Sequence, residues 1–152
     1  MKKKIYTLFL FFIALCSACV SYPGESSGQQ VIGVSSLEFY KNHRHLLEDD
    51  GALIIDGRTA TMFASGHLKN AINIDADDLN LIELLQEHSH EPLIVVYCTT
   101  DRRTGDIVEA LMEFYQGDII YISDGIRGWQ QNGLPVSTFM SCFPIKGLIL
   151  SR

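Results

Sequence analysis

One cysteine in this chain stands where a nucleophile would. Cys98 follows the apolar run Leu93-Ile94-Val95-Val96-Tyr97 and precedes Thr99-Thr100-Asp101-Arg102-Arg103-Thr104. A loop of those residues bending around the sulfur would turn backbone N–H groups inward as an anion nest. The helix expected after it adds partial positive charge at its amino end. Arg102 and Arg103 add two full charges. Each effect favours thiolate over thiol and lowers the cysteine's pKa, and a thiolate is what nucleophilic attack on sulfur requires. An inert buried cysteine at a strand end is the plain alternative, but it has no need of two arginines within five residues. Cys98 is therefore the candidate nucleophile, with Thr99, Thr100, Asp101, Arg102, Arg103 and Thr104 as the candidate substrate-binding loop.

The elements that must hold this loop can be read from periodicity. Leu93–Tyr97, introduced by Pro92, is a fully apolar, β-rich run. Ala52–Asp56, Ala71–Ile74 and Ile119–Ile122 are shorter runs of the same kind, and such buried strands favour parallel sheets. Between them lie helical segments. Ser35 and Ser36 signal a helix start before Leu37-Glu38-Phe39-Tyr40. Ala60–Ala64 fits a short helix and Leu79–His88 a modest one. Ile107, Leu111 and Phe114 recur at helical spacing, and Ile126–Asn132 is closed by Gly133 and Pro135. Alternating strands and helices predict an α/β domain with a mostly parallel sheet. Ligands of such sheets sit beyond the carboxyl ends of the strands, which is where Cys98 falls.

The chain's 152 residues are 47% hydrophobic and 20% charged, values of one globular domain rather than a disordered chain. Lys2-Lys3-Lys4, the run Ile5–Leu15 and the small residues Ser17 and Ala18 have the form of a secretory signal. The run's eleven residues are fewer than the roughly 20 a spanning helix needs. Residues 1–18 are thus expected to be a signal peptide and 19–30, with Pro23, Gly24, Ser26, Ser27 and Gly28, a tether. Without the first 18 residues, Lys+Arg falls from 12 to 9 against 18 acids, a net charge of −9. That surface argues against nucleic acid as a partner, so an anionic substrate must be drawn by a local positive site. No Cys-x-x-Cys pair follows Cys19, so neither a zinc ribbon nor a thioredoxin-type site is indicated.

Three separated segments carry a resemblance. The first is Leu53-Ile54-Ile55-Asp56-Gly57-Arg58 with Phe63 and Gly66-His67-Leu68-Lys69-Asn70-Ala71-Ile72-Asn73-Ile74. The second is Ile94–Cys98 with its loop, and the third is Asp124-Gly125-Ile126-Arg127-Gly128-Trp129 running to Gly133-Leu134-Pro135-Val136. In this order and at these separations they resemble the signatures of the rhodanese family, over residues 31–136. The resemblance implies a small α/β domain with a five-stranded, largely parallel sheet flanked by helices. It implies a sulfurtransferase in which Cys98 takes sulfur from a small anion such as thiosulfate, holds it as a persulfide and passes it to a thiol, to cyanide or to a protein acceptor, with no metal and no organic cofactor. Asp56, Arg58, His67 and Trp129 match framework positions, and Arg58 is also a candidate for the pocket wall. Two departures stand out. Asp101 occupies a place where the family often has Gly, and Asp124 precedes Gly125 where a second Gly is usual.

Leu15-Cys16-Ser17-Ala18-Cys19 resembles a bacterial lipobox, with Cys16 where Leu, Val or Ile is usual. That resemblance makes Cys19 the expected lipid anchor of an exported, cell-envelope or periplasmic protein held to the membrane only by its lipid. The tail 137–152 is apolar and contains Cys142. Two competing readings are a non-catalytic binding module of the same fold and a cysteine-based phosphatase or arsenate reductase. Those enzymes place five residues between the cysteine and its arginine, whereas Cys98 and Arg103 enclose four; the shorter loop suits a sulfur atom better than a phosphate.

Overall fold

The computed structural model describes residues 28–49, 51–99 and 101–138. Cys19 and the export segment, most of the tether, Thr100, Cys142 and the tail from residue 139 lie outside the described residues. The elements run β1 (Val31–Val34), α1 (Ser36–His43), a 3₁₀ turn (Arg44–Leu47), β2 (Leu53–Asp56), α2 (Ala60–Ser65), β3 (Ala71–Asn73), α3 (Leu81–Gln86), β4 (Leu93–Tyr97), α4 (Asp101–Met112), β5 (Asp118–Ile122) and α5 (Gly125–Gln131). The five strands form one sheet in the order β1-β5-β4-β2-β3, and every pair is parallel.

The apolar strands are continuous because both faces of the sheet are covered. Ile54, Val95, Tyr97, Ile120 and Ile122 pack with Phe39 of α1 and with Ile126 and Trp129 of α5. Ile55, Ile94, Val96 and Ile119 pack on the other face with Leu85 of α3 and Ile107 and Leu111 of α4. Successive strand residues thus serve opposite layers, as the period of two requires.

Strand β1 differs from the sequence expectation, which placed residues 19–30 in a tether and read only a helix start after Gly33. Three of its four residues are exposed and a glycine interrupts it, so it lacks the burial signature of the inner strands. A Cβ at Gly33 would meet the end of the Tyr121 ring on the neighbouring strand, which would have to move aside. The end of the expected tether is itself tied to the domain. Gln29 donates from Nε2 to the Tyr115 and Gly117 carbonyls at 2.9 and 3.1 Å, and the Gln30 carbonyl accepts from the Ile119 N–H. At the other end the domain reaches past Val136, since Ser137 pairs antiparallel with His67. The modest helix expected over Leu79–His88 is shorter, Leu81–Gln86, and leaves Leu79 fully exposed.

Tyr115, buried just beyond the end of α4, donates its hydroxyl to the Glu91 carbonyl at 2.9 Å. Burial, then the Asp118 and Glu91 carboxylates, push its phenol up to about 12. Because the folded value lies above the unfolded one of 10, the folded state holds the proton longer. The contribution is complete below pH 10 and is lost as pH rises toward about 12. Tyr115→Phe is therefore expected to flatten the loss of stability across that window. Urea midpoints measured from pH 9 to 12 check this; parallel curves for the two proteins would refute it.

Candidate active site

Cys98 is placed by strand register. Asp56 of β2 lies opposite Tyr97 of β4, so Gly57 and Cys98 leave adjacent strands side by side. The chain turns from β2 toward β3 on one side and from β4 toward β5 on the other. The crevice between β2 and β4 is therefore a topological switch point, where α/β sheets bind ligands. The Gly57 N–H donates to the Tyr97 carbonyl at 2.8 Å, and Cys98 Sγ donates to the Gly57 carbonyl at 3.6 Å. The end of β5 closes the other side, where the Ile126 N–H donates to the Cys98 carbonyl at 2.9 Å.

Cys98 is 1% exposed, yet it lines a cavity of about 270 Å³ together with Thr99, Arg102, Arg103 and Met62. The helix α4 starts at Asp101, so Asp101 to Thr104 form its first turn and are not the loop expected from sequence. Two residues of sequence separate Cys98 from the start of this helix. The amino end of α4 thus brings Arg102 and Arg103 to the cavity that Cys98 lines, and their charges give it positive potential.

The remaining candidates separate. Thr104 is fully buried and does not line the cavity. Asp101 lines a different depression, with Val31, Gly105, Val108 and Tyr121, and is not among the residues lining the Cys98 cavity. Arg58 is not part of the pocket wall. It is 3% exposed, pairs with the fully buried Asp56 through Nη2 at 2.6 Å and donates from the same nitrogen to the Gly66 carbonyl. Burial works against its charge, but the Asp56 hydrogen bond and charge outweigh it and raise its pKa. Tyr97, in the same cluster, is pushed up by burial first and then by Asp56. His67 stacks on Phe63 with centroids 4.0 Å apart, and Trp129 donates to the Pro135 carbonyl. These are framework roles.

Sequence reasoning missed two residues. Met62, from α2, lines the cavity; its signal was its place in the first helix after β2, the neighbour of β4. Asp77 holds Arg103, with Oδ2 to Nη2 at 2.9 Å, and no local pattern announces that pairing.

Gly125 and Asp124 account for the third segment. Gly125 has φ +56°, and a Cβ there would collide with the backbone of Cys98 and Thr99. The Asp124 carboxylate accepts from the Ser36 N–H and hydroxyl, both at 2.7 Å, which ties the start of α5 to the start of α1. Gly125→Ala should cost at least about 2 kcal/mol through left-handed strain and forced backbone movement, and should lower reactivity at Cys98. Denaturant midpoints and alkylation rates check this; a variant within about 0.5 kcal/mol of wild type would contradict it.

A family model described as a rhodanese-like domain matches residues 40–132. An uncharacterized protein of Synechocystis sp. is 27% identical over 95 residues, which cover 62% of this chain and 52% of that protein. The chain thus spans about half the length of that relative. Thiosulfate sulfurtransferase GlpE of Actinobacillus pleuropneumoniae is 25% identical over 93 residues, 61% of this chain and 84% of GlpE. A solved structure, a rhodanese-related protein from Thermoplasma volcanium, superposes with a TM-score of 0.57 at 22% identity, covering 70% of this chain and 97% of that one. At that identity the likeness is one of fold.

Proposed function

Because this chain belongs to the rhodanese-like domain family, we propose that it is a sulfurtransferase working through a persulfide on Cys98. The observation that carries the reading is the position of Cys98 at the switch point, in a cavity shared with Arg102 and Arg103. In the first step the Cys98 thiolate attacks the outer sulfur of thiosulfate. A Cys98–S bond forms, the S–S bond of the donor breaks, and sulfite leaves with the bonding electron pair. In the second step a thiolate or cyanide attacks the terminal sulfur. The product leaves as a persulfide or thiocyanate, and the Cys98 thiolate is restored. No electron carrier enters either step.

Arg102 and Arg103 hold the donor anion, and Thr99 and Met62 shape the space around the transferred sulfur. A cavity of about 270 Å³ suits a small anion. The acceptor is a small thiol, cyanide or a protein thiol. We further propose that the domain works outside the cytoplasm, tethered through Cys19; Lys2-Lys3-Lys4, the run Ile5–Leu15 and the small residues before Cys19 support this.

Mass spectrometry after incubation with thiosulfate tests the reaction. One sulfur atom is expected on the peptide that contains Cys98, and it should be removed by cyanide. An unmodified Cys98 after exposure to both thiosulfate and 3-mercaptopyruvate would overturn the reading for those donors.

A further inference from the structure

The Cys98 cavity presents two arginines, but one is already engaged. Arg103, with a side chain 29% exposed, reaches Asp77 at 2.9 Å, and Asp77 is 60% exposed. Asp77 lies between β3 and α3, far from Cys98 in sequence. Its place is set by backbone. The Asp77 N–H donates to Asp75 Oδ1 at 3.1 Å, and the preceding Ala76 N–H donates to the Gly57 carbonyl at 3.2 Å. That carbonyl is the one that accepts from Cys98 Sγ. The loop carrying Asp77 is thus pinned to the atom that positions the nucleophile. Asp101 lines another depression; among the described residues Asp77 is the carboxylate ion-paired with an arginine of this cavity, Arg103.

We propose that Asp77 is a specificity-determining residue: it holds Arg103 at the mouth of the site and supplies a resident counter-charge, so that singly charged sulfur donors are favoured over doubly charged ones. It occupies part of the Arg103 donor fork, which an incoming anion would otherwise take bidentately. It also lowers the positive potential at the cavity from that of two arginines to about that of one. The reaction of a singly charged donor balances in the same way as that of thiosulfate. Methanethiosulfonate, attacked at its outer sulfur, leaves methanesulfinate with the bonding pair and the added sulfur on Cys98. Calling the anion a sulfur donor rests on the sulfurtransferase reading; the discrimination by charge is a property of binding alone.

The physics fixes a ratio. In one field, a dianion gains twice the free energy of a monoanion, so its fold-change in affinity is the square of the monoanion's. Inert probes of the same shape class are sulfate and methanesulfonate. Their binding is read as protection of Cys98 from iodoacetamide, which is uncharged, on the full chain at constant ionic strength, following the peptide that contains Cys98. Asp77→Asn is expected to tighten sulfate about tenfold and methanesulfonate only about threefold, while Asp77→Glu stays near wild type. Asp77 is largely exposed, and ion pairs at the surface contribute little to stability, so the variants should keep the wild-type denaturation midpoint. Protection that is absent, unchanged, weakened or equally altered for both anions in Asp77→Asn overturns the proposal. The constants need no turnover. Absence of sulfur transfer in wild type would therefore remove the donor reading and leave the charge discrimination to be judged on these constants.

Discussion

Replacing Cys98 with Ser is expected to leave the fold intact and abolish sulfur loading. The two side chains differ by one atom in a position that is 1% exposed, and the Ser hydroxyl can still donate to the Gly57 carbonyl that Cys98 Sγ now meets. Stability should therefore change little. Reactivity should not survive, because a serine hydroxyl stays protonated near neutral pH and cannot form a persulfide. Two measurements on one sample decide the matter. The denaturation midpoint should match wild type, and mass spectrometry after thiosulfate should find no added sulfur. Loading that persists in Cys98→Ser would remove Cys98 from the mechanism. A collapsed midpoint would assign it a structural role instead.

The second large effect is expected at the buried pair under the site. Asp56 is fully buried, and its carboxylate accepts from the backbone N–H, Nε and Nη2 of Arg58. Arg58→Ala leaves that carboxylate buried without its counter-charge, which should cost about 3–5 kcal/mol. Against a domain stability of roughly 5–15 kcal/mol, this is enough to populate unfolded chain at 37 °C. The Gly66 carbonyl also loses its Arg58 partner. The double replacement Asp56→Leu with Arg58→Met removes both charges together and should cost markedly less than the sum of the single Ala variants. Urea denaturation of the set measures the coupling. Additive costs would show that the pair does not act as a unit. Gly57 lies between the two partners and accepts from Cys98, so the single variants should also slow Cys98 alkylation under folding conditions.

Much of the architecture was legible in the sequence because its signals are local. The runs Leu53–Asp56, Leu93–Tyr97 and Asp118–Ile122 are apolar at every or nearly every position since the sheet is covered on both faces. Ser35 caps α1 as its residue type suggests, accepting from the Glu38 N–H. Cys98 stood out because a nucleophile following the most apolar strand sits at a carboxyl end in any parallel sheet. The edge strand β1 was less legible. It is four residues long, mostly exposed and broken by a glycine packed against the ring of Tyr121, which lies elsewhere in the chain.

By itself, then, the sequence determined the alternation of strands and helices, the candidate nucleophile Cys98 and the charges beside it in the chain. These depend on side-chain type and on spacings of a few residues, and local backbone geometry converts such spacings directly into faces and ends. Tertiary structure decided which of those charges share a cavity with Cys98. Arg58 and Arg103 are both arginines near the site in sequence reading, yet one is buried against Asp56 and the other lines the cavity. Asp101 precedes Arg102 but lines another depression, while Asp77, distant in the chain, reaches Arg103. The reason is strand register and helix phase. Pairing β2 with β4 brings Gly57 and the loop anchored to it beside Cys98. Starting α4 at Asp101 turns successive side chains by the helical angle, so neighbours in sequence face different cavities.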